Sequence, residues 1–162
     1  MWSNMLLAFI LGLLPISEIR GGVLYVFASS KSPIELLVGL LLSLSGNLLV
    51  PFLAYGVLDL LDHAFRSKYT PLVIKKAYLL ALDYGRRRAG SVSGKGYLAL
   101  ALFVSVPLPV TGAWTGTLVA YVLGLDRRKS TIAIELGVLI AATIVTLVVA
   151  LGLEVLRRVF LL

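Results

Sequence analysis

The 162-residue chain contains no cysteine, no glutamine, a single histidine (His63) and only two asparagines, Asn4 and Asn47. No disulfide, thiol chemistry or cysteine-ligated metal is therefore available. His63 stands alone beside Asp59 and Asp62, a setting that suits an interfacial residue better than a ligand. Charge is scarce as well. Asp, Glu, Lys and Arg make up 14% of the chain, against about 25% in soluble domains. No phosphate-cradling glycine loop, catalytic triad or metal-ligand spacing occurs, so neither an enzyme nor a cofactor is expected.

What the chain does have is apolar surface. Hydrophobic residues make up 59% before the 15 glycines are counted, and the mean hydropathy is +1.00. That composition excludes a soluble domain and a disordered tail, and defines an integral membrane protein small enough to be one membrane domain, residues 1–162. The net charge of +7 does not point to nucleic acid, because of where it sits. Eight of the fifteen Lys and Arg lie between Arg66 and Lys95, and three more form Arg127-Arg128-Lys129. Such clusters mark cytoplasmic loops and attract anionic headgroups.

Four apolar stretches stand out: 5–28, 34–58, 97–125 and 131–153. About 20 apolar residues cross a bilayer, and the second and fourth stretches read as transmembrane helices, with Glu35 and Glu135 complementing the dipole near their starts. The first and third are broken. Met5 to Leu14 is ten residues before Pro15, and Tyr97 to Val106 is ten before Pro107 and Pro109. Proline lacks the helix-interior N–H and disfavours helix in the residue before it. Arms this short read as the arms of re-entrant hairpins. Residues 1–28 lack the basic start of a signal peptide and carry Glu18 and Arg20 where its apolar core would lie, so cleavage is not expected.

The two halves resemble each other. Pro15-Ile16-Ser17 matches Pro109-Val110-Thr111 at an offset of 94, as do Gly22 with Gly116 and Phe27 with Tyr121. After a four-residue insertion the offset is 98, pairing Lys31-Ser32 with Lys129-Ser130 and Gly39 with Gly137. The expected fold is an all-α membrane protein. It is an inverted repeat of two re-entrant helical hairpins and two transmembrane helices, plus a cytoplasmic interfacial helix. Repeat 1 covers 2–58, a basic interfacial segment 59–96, and repeat 2 97–158. With re-entrant hairpins, residues 59–96 and 126–130 share one side with eleven Lys and Arg, against three on the other. Four full spans would give ten against four. The short arms weigh further toward the hairpins, with the central loop cytoplasmic and the protein in the cell membrane. Between Pro71 and Arg88, the residues Lys75, Lys76, Asp83, Arg86 and Arg87 share one helical arc that Leu72 and Leu79 enter, which suits a helix on the inner leaflet.

The hairpin tips carry the chemistry. Ser17 and Thr111 are placed to cap helices beginning after Pro15 and Pro109, and two helix N-termini near the midplane would form an anion site. Arg20 adds a planar permanent charge suited to phosphate or carboxylate. Glu18 adds a carboxylate in a poorly hydrated place, where intramembrane ionisable groups are expensive to keep. The candidate substrate-binding residues are Arg20, Glu18, Ser17, Thr111, Gly112 and Trp114. Pro15, Pro107, Pro109, Gly21, Gly22 and Gly116 shape the tips, and Asn47 is polar glue on one face with Gly39 and Ser43. The plainer reading is that Glu18 and Arg20 neutralise each other, while Gly112 and Gly116 serve close packing.

The stretches PISEIRGG (15–22), VPLPVTGAWTG (106–116) and GLDRRKS (124–130) resemble the small multidrug export protein family over almost the whole chain. The architecture is similar to that of the DedA (SNARE-associated, VTT) superfamily, whose members have facing re-entrant loops. That resemblance implies lipid translocation: polyprenyl phosphate in bacterial members, phospholipid in eukaryotic ones. Members usually place acids at the first loop and arginines at the second, whereas here Glu18 and Arg20 share the first and no charge lies between Lys95 and Asp126. The expected function is translocation of an anionic amphiphile. The alternatives are a proton-coupled drug exporter using Glu18 and a non-transporting scaffold. Expected partners are membrane lipids, that amphiphile and, for the exporter, protons; a homodimer is allowed and nucleic acid is not.

Overall fold

The prolines set the helix boundaries. The computed structural model describes residues 2–66, 71–89, 96–108 and 111–160, which contain eight α-helices. Helix α1 (Trp2–Leu13) stops just ahead of Pro15, and α2 (Glu18–Ser29) follows after a four-residue turn. Helix α3 (Pro33–Leu48) leads almost directly into α4 (Val50–Arg66). Helix α5 is Leu72–Ala89, α6 (Gly96–Ser105) stops ahead of Pro107, α7 is Ala113–Val122 and α8 is Arg127–Phe160. Each half thus runs through two short helices into a long one.

Two helices are long and apolar enough to cross a membrane: Pro33–Phe65, of 33 residues, and Arg127–Val155, of 29. At 1.5 Å per residue they reach roughly 45–50 Å, beyond a hydrocarbon core of about 30 Å. The short helices have 12, 12, 10 and 10 residues, only about 15–18 Å each. Both long helices exceed their expected ends. No glycine or proline lies between Gly56 and Pro71, so α4 continues through Asp59 and Asp62 to Arg66. Helix α8 starts four residues before Thr131 because Asp126 caps it, accepting the Lys129 N–H at 3.0 Å. At the start of α3, Ser32 accepts the Glu35 N–H (3.3 Å), and Glu35 accepts the Lys31 N–H (2.9 Å). That engages Glu35 as a cap. Pro51 interrupts the first long helix at Leu49, since Asn47 loses the N–H that its carbonyl would accept.

Helix α1 packs on α2 and α3, and α6 on α7 and α8. The second short helix of each half also packs on the other half's long helix, α2 against α8 and α7 against α4. Small residues allow this. A Cβ on Gly12 would overlap the Ser43 carbonyl, and one on Gly46 the Phe9 carbonyl, so α1 and α3 touch backbone to backbone. One buried cluster gathers Leu100, Val104, Val119, Ile134 and Val138 around α6–α8, and another joins Ile19 and Val23 to Ala141 and Val145. Leu37, Leu41, Phe52, Leu136, Leu147 and Leu151 remain exposed on the long helices, an apolar surface that lipid covers.

Helix α5 is docked on one face. Tyr78 is buried, donates to Asp62 Oδ1 at 2.9 Å and stacks near Phe65, with ring centroids 5.3 Å apart. Gly85 rests on Leu118 and Val122 of α7. The outward arc mixes leucine and charge along its length, with Lys76 exposed between Val73 and Leu79. Leu72, Val73, Leu79 and Leu80 are exposed in the first part, Arg86 and Arg87 in the last turn. One side of the helix is thus held on α4 and α7 while the other stays exposed.

Candidate functional site

The turns between the short helices meet at the centre of the chain's contacts. Glu18 is the only described non-glycine residue with positive φ, at 47°, a left-handed conformation that costs an L-residue about 1–2 kcal/mol. It turns the buried carboxylate toward α7. There Glu18 Oε1 accepts the Trp114 backbone N–H at 3.4 Å, and Arg20 lies 3.7 Å from Oε2. A Cβ on Gly112 would overlap this carboxylate. Glycine at 112 is thus required by the approach of Glu18.

Two further bonds tie the same region. Trp114 Nε1 donates to the Leu13 carbonyl at 2.8 Å, and buried Asn47 donates through Nδ2 to the Gly12 carbonyl at 2.7 Å. The small space among Glu18, Arg20, Asn47, Pro107, Thr111 and Gly112 has a volume of about 10 Å³, room for no more than one water.

The caps differ from expectation. Ser17 precedes α2 but makes no capping bond; its hydroxyl donates back to the Leu11 carbonyl at 2.5 Å. Gly112, not Thr111, is the residue flanking α7, and the Thr111 hydroxyl donates to the carbonyls of Val106 (2.6 Å) and Leu108 (2.9 Å). Both hydroxyls close the turn that carries them. Nor are the helix N-termini free. The Glu18 N–H is spent on the Leu14 carbonyl, and α7's N-terminus already faces the Glu18 carboxylate. Gly116 lets Val104 of α6 approach α7 closely, and Gly22 meets Ser43. Gly21 lies beside Ser17, Pro15 is exposed, Pro107 is half-buried, and Pro109 lies outside the described residues.

Sequence reasoning missed three features. The close approach of Gly12 to Ser43 and of Gly46 to Phe9, and the Pro51 break, had visible signals in small residues and an in-span proline. The third is a groove between α4 and α8 lined by Phe52, Tyr55, Asp59, Arg127 and Glu135. Arg127 there forms a two-bonded pair with Asp59, Nη1 to Oδ2 at 2.7 Å. Among the described residues, no group of three or more histidine, aspartate or glutamate side chains is placed to hold a metal.

Two long apolar helices with leucines exposed along them define a multi-pass α-helical membrane protein. The model of the family described as "Putative small multi-drug export protein" matches residues 18–144, and the chain belongs to that family. The match begins at Glu18 and takes in Gly112 and Trp114. No curated protein and no solved structure matches the chain.

Proposed function

We propose that the protein is a carrier that moves an anionic amphiphile, a phosphate head on a lipid tail such as a polyprenyl phosphate or phospholipid, across the membrane. One observation carries this reading: Glu18, from the first half, supplies a carboxylate to Arg20 and to the N-terminus of α7 in the second half. Those groups would equally hold a phosphate. Glu18 acts as a built-in occupant that the head displaces, and the closed space around it is the resting state. The family's export description agrees with a carrier rather than an enzyme.

The carrier is built as an inverted repeat with re-entrant hairpins. Three contacts support that topology. The Asp126 N–H donates to the Tyr97 hydroxyl at 3.3 Å, bringing the start of α6 level with the end of α7. Asn4, Met5, Ser29 and Ser30 line one pocket, which does the same for α1 and α2. The Asp59–Arg127 pair joins the end of the first long helix to the start of the second. In four full spans those two residues would lie about 30 Å apart on opposite faces.

In liposomes, Arg20→Ala should reduce translocation of a fluorescent anionic phospholipid to the level of protein-free vesicles while the protein keeps its helical content. Wild-type translocation by that variant would refute the role of Arg20. A proton-coupled drug exporter would instead require a pH gradient for transport, which the same vesicles can impose.

A further inference from the structure

We propose that the pocket where the start of α1, the end of α2 and the start of α3 meet binds a small zwitterion. Its ligand carries a primary ammonium and a phosphate on one short head, as phosphoethanolamine and the lipids built on it do. The pocket has a volume of about 130 Å³ and is lined by Asn4, Ser29, Ser30, Lys31 and Glu35, with Val26 and Gly39 below them. That is about ten times the 10–15 Å³ that one water needs. It is well under the range for drug-sized ligands, about 300–1,000 Å³. A Cβ on Gly39 would stand 2.9 Å from the Val26 methyls, so α2 and α3 close the floor.

Both signs of charge border this space and do not close on each other. Glu35 Oε2 accepts the Lys31 backbone N–H at 2.9 Å, but among the described residues the Lys31 ammonium has no carboxylate partner. Glu18 with Arg20, Asp83 with Arg87 and Asp59 with Arg127 do pair directly. The side chains of Asn4, Ser29 and Ser30 also make no hydrogen bond to the described protein. A primary ammonium has three donors, enough for Glu35 and the two serine hydroxyls, and a phosphate accepts from Lys31 and the Asn4 amide. A purely anionic head would be left facing Glu35, and a purely cationic one facing Lys31. The depth suits a lipid head. Glu35 and Asp59 are 24 residues apart, about 36 Å along the first long helix. The pocket and the Asp59–Arg127 pair therefore stand at opposite ends of a hydrocarbon core of about 30 Å. Ile34 and Leu37, on either side of Glu35, are exposed and offer apolar surface to a tail. The pocket shares no residue with the hairpin tips, so its binding is separable from translocation.

Phosphatidylcholine carries methyl groups where the ammonium would donate, and phosphatidylglycerol has no cation. Native mass spectrometry of the full chain in detergent, with equal amounts of these two lipids and phosphatidylethanolamine of the same chains, measures the choice. Phosphatidylethanolamine should be retained over both by about tenfold or more, the worth of one charge-assisted hydrogen bond. Glu35→Gln keeps an oxygen for the Lys31 N–H and should abolish that preference. Lys31→Met, at an exposed side chain, should lower phosphatidylethanolamine retention by about tenfold. Equal retention of the three lipids, with saturable calorimetric binding of soluble phosphoethanolamine that both variants lose, assigns the pocket to the free zwitterion. Equal retention with no saturable binding of phosphoethanolamine would overturn the proposal. So would a preference that both variants keep, or a preference for phosphatidylglycerol that Lys31→Met removes.

Discussion

Gly112→Ala is the most informative single change in the protein. The backbone at 112 has φ −98° and ψ −162°, which any residue adopts, so alanine itself is not strained there. Its Cβ would, however, overlap the Glu18 carboxylate. Pushing that carboxylate aside forfeits a charge-assisted hydrogen bond, about 1.5–3 kcal/mol, and its interaction with the helix terminus, about 0.3–1 kcal/mol. Gly112→Ala should therefore destabilise the protein by about 2–4 kcal/mol. Once Glu18→Ala has removed the obstacle, the same substitution should cost under about 1 kcal/mol, the usual preference for glycine over alanine at this position. The coupling between the two sites should then be at least about 1 kcal/mol, within the range for residues in contact. Denaturation in mixed micelles would measure it, with Trp114 as a fluorescent reporter beside the site. Equal costs for Gly112→Ala in both backgrounds would refute the placement of Glu18 over α7.

Three other outcomes are expected. Asn47→Ala orphans the Gly12 carbonyl where α1 meets α3 and should cost about 1–2 kcal/mol in the same unfolding assay, the range for hydrogen bonds between membrane helices. Burial, then the hydrogen bond to Asp62, raises the Tyr78 hydroxyl above its ordinary value near 10. The folded state thus keeps a proton the unfolded chain releases, so the docking of α5 is at full strength below about pH 10 and weakens above it. The protection of α5 amides, that is, exchange relative to the base-catalysed intrinsic rate, should fall over that alkaline window, and Tyr78→Phe should abolish the fall. Finally, single cysteines in Ser3→Cys, Arg86→Cys and Lys129→Cys should label with an impermeant reagent so that 86 and 129 share one side and 3 lies on the other. Position 129 is exposed, whereas its neighbour Ser130 is buried. Labelling of 3 and 86 from one side and 129 from the other would establish four full spans.

The apolar stretches and their breaks were legible because the bilayer imposes length and proline imposes discontinuity, two rules that act locally. Helix ends were less so. Carrying α4 to Arg66 depended on the absence of a breaker, and starting α8 at Arg127 depended on the Asp126 cap. The tip residues could be named from their types, yet their partners could not. Ser17 and Thr111 have hydroxyls that suit a helix N-terminus, yet Ser17 satisfies a carbonyl in the last turn of α1 and Thr111 carbonyls just after α6. Gly112 and Gly116 share a spacing that signals helix packing, but Gly112 answers to a carboxylate 94 positions earlier. Such a contact follows from the assembled halves and leaves no periodic trace. On α5, the pattern of leucine and charge gave no hint that Tyr78 and Gly85 would be the positions docked on α4 and α7.

The placement of Glu18 also bears on how lipid translocation and proton coupling relate. If an anionic head takes the α7 terminus and Arg20, the carboxylate it displaces is left in a space of about 10 Å³, bordered by Val104, Val138 and Ala141. A bare carboxylate among such groups is costly unless it is paired. The chain has two ways to meet that cost. Glu18 stays ionised and shares Arg20 with the head, which limits how firmly the head is held. Otherwise it takes a proton, and each anion bound brings one with it. The first route gives weak, rapid exchange that ignores a pH gradient; the second makes the gradient a driving force. Both use the same residues in the same geometry. On this reading, uncoupled and proton-coupled movement of an anionic head differ in the protonation of one side chain, and only at the step when a head displaces it.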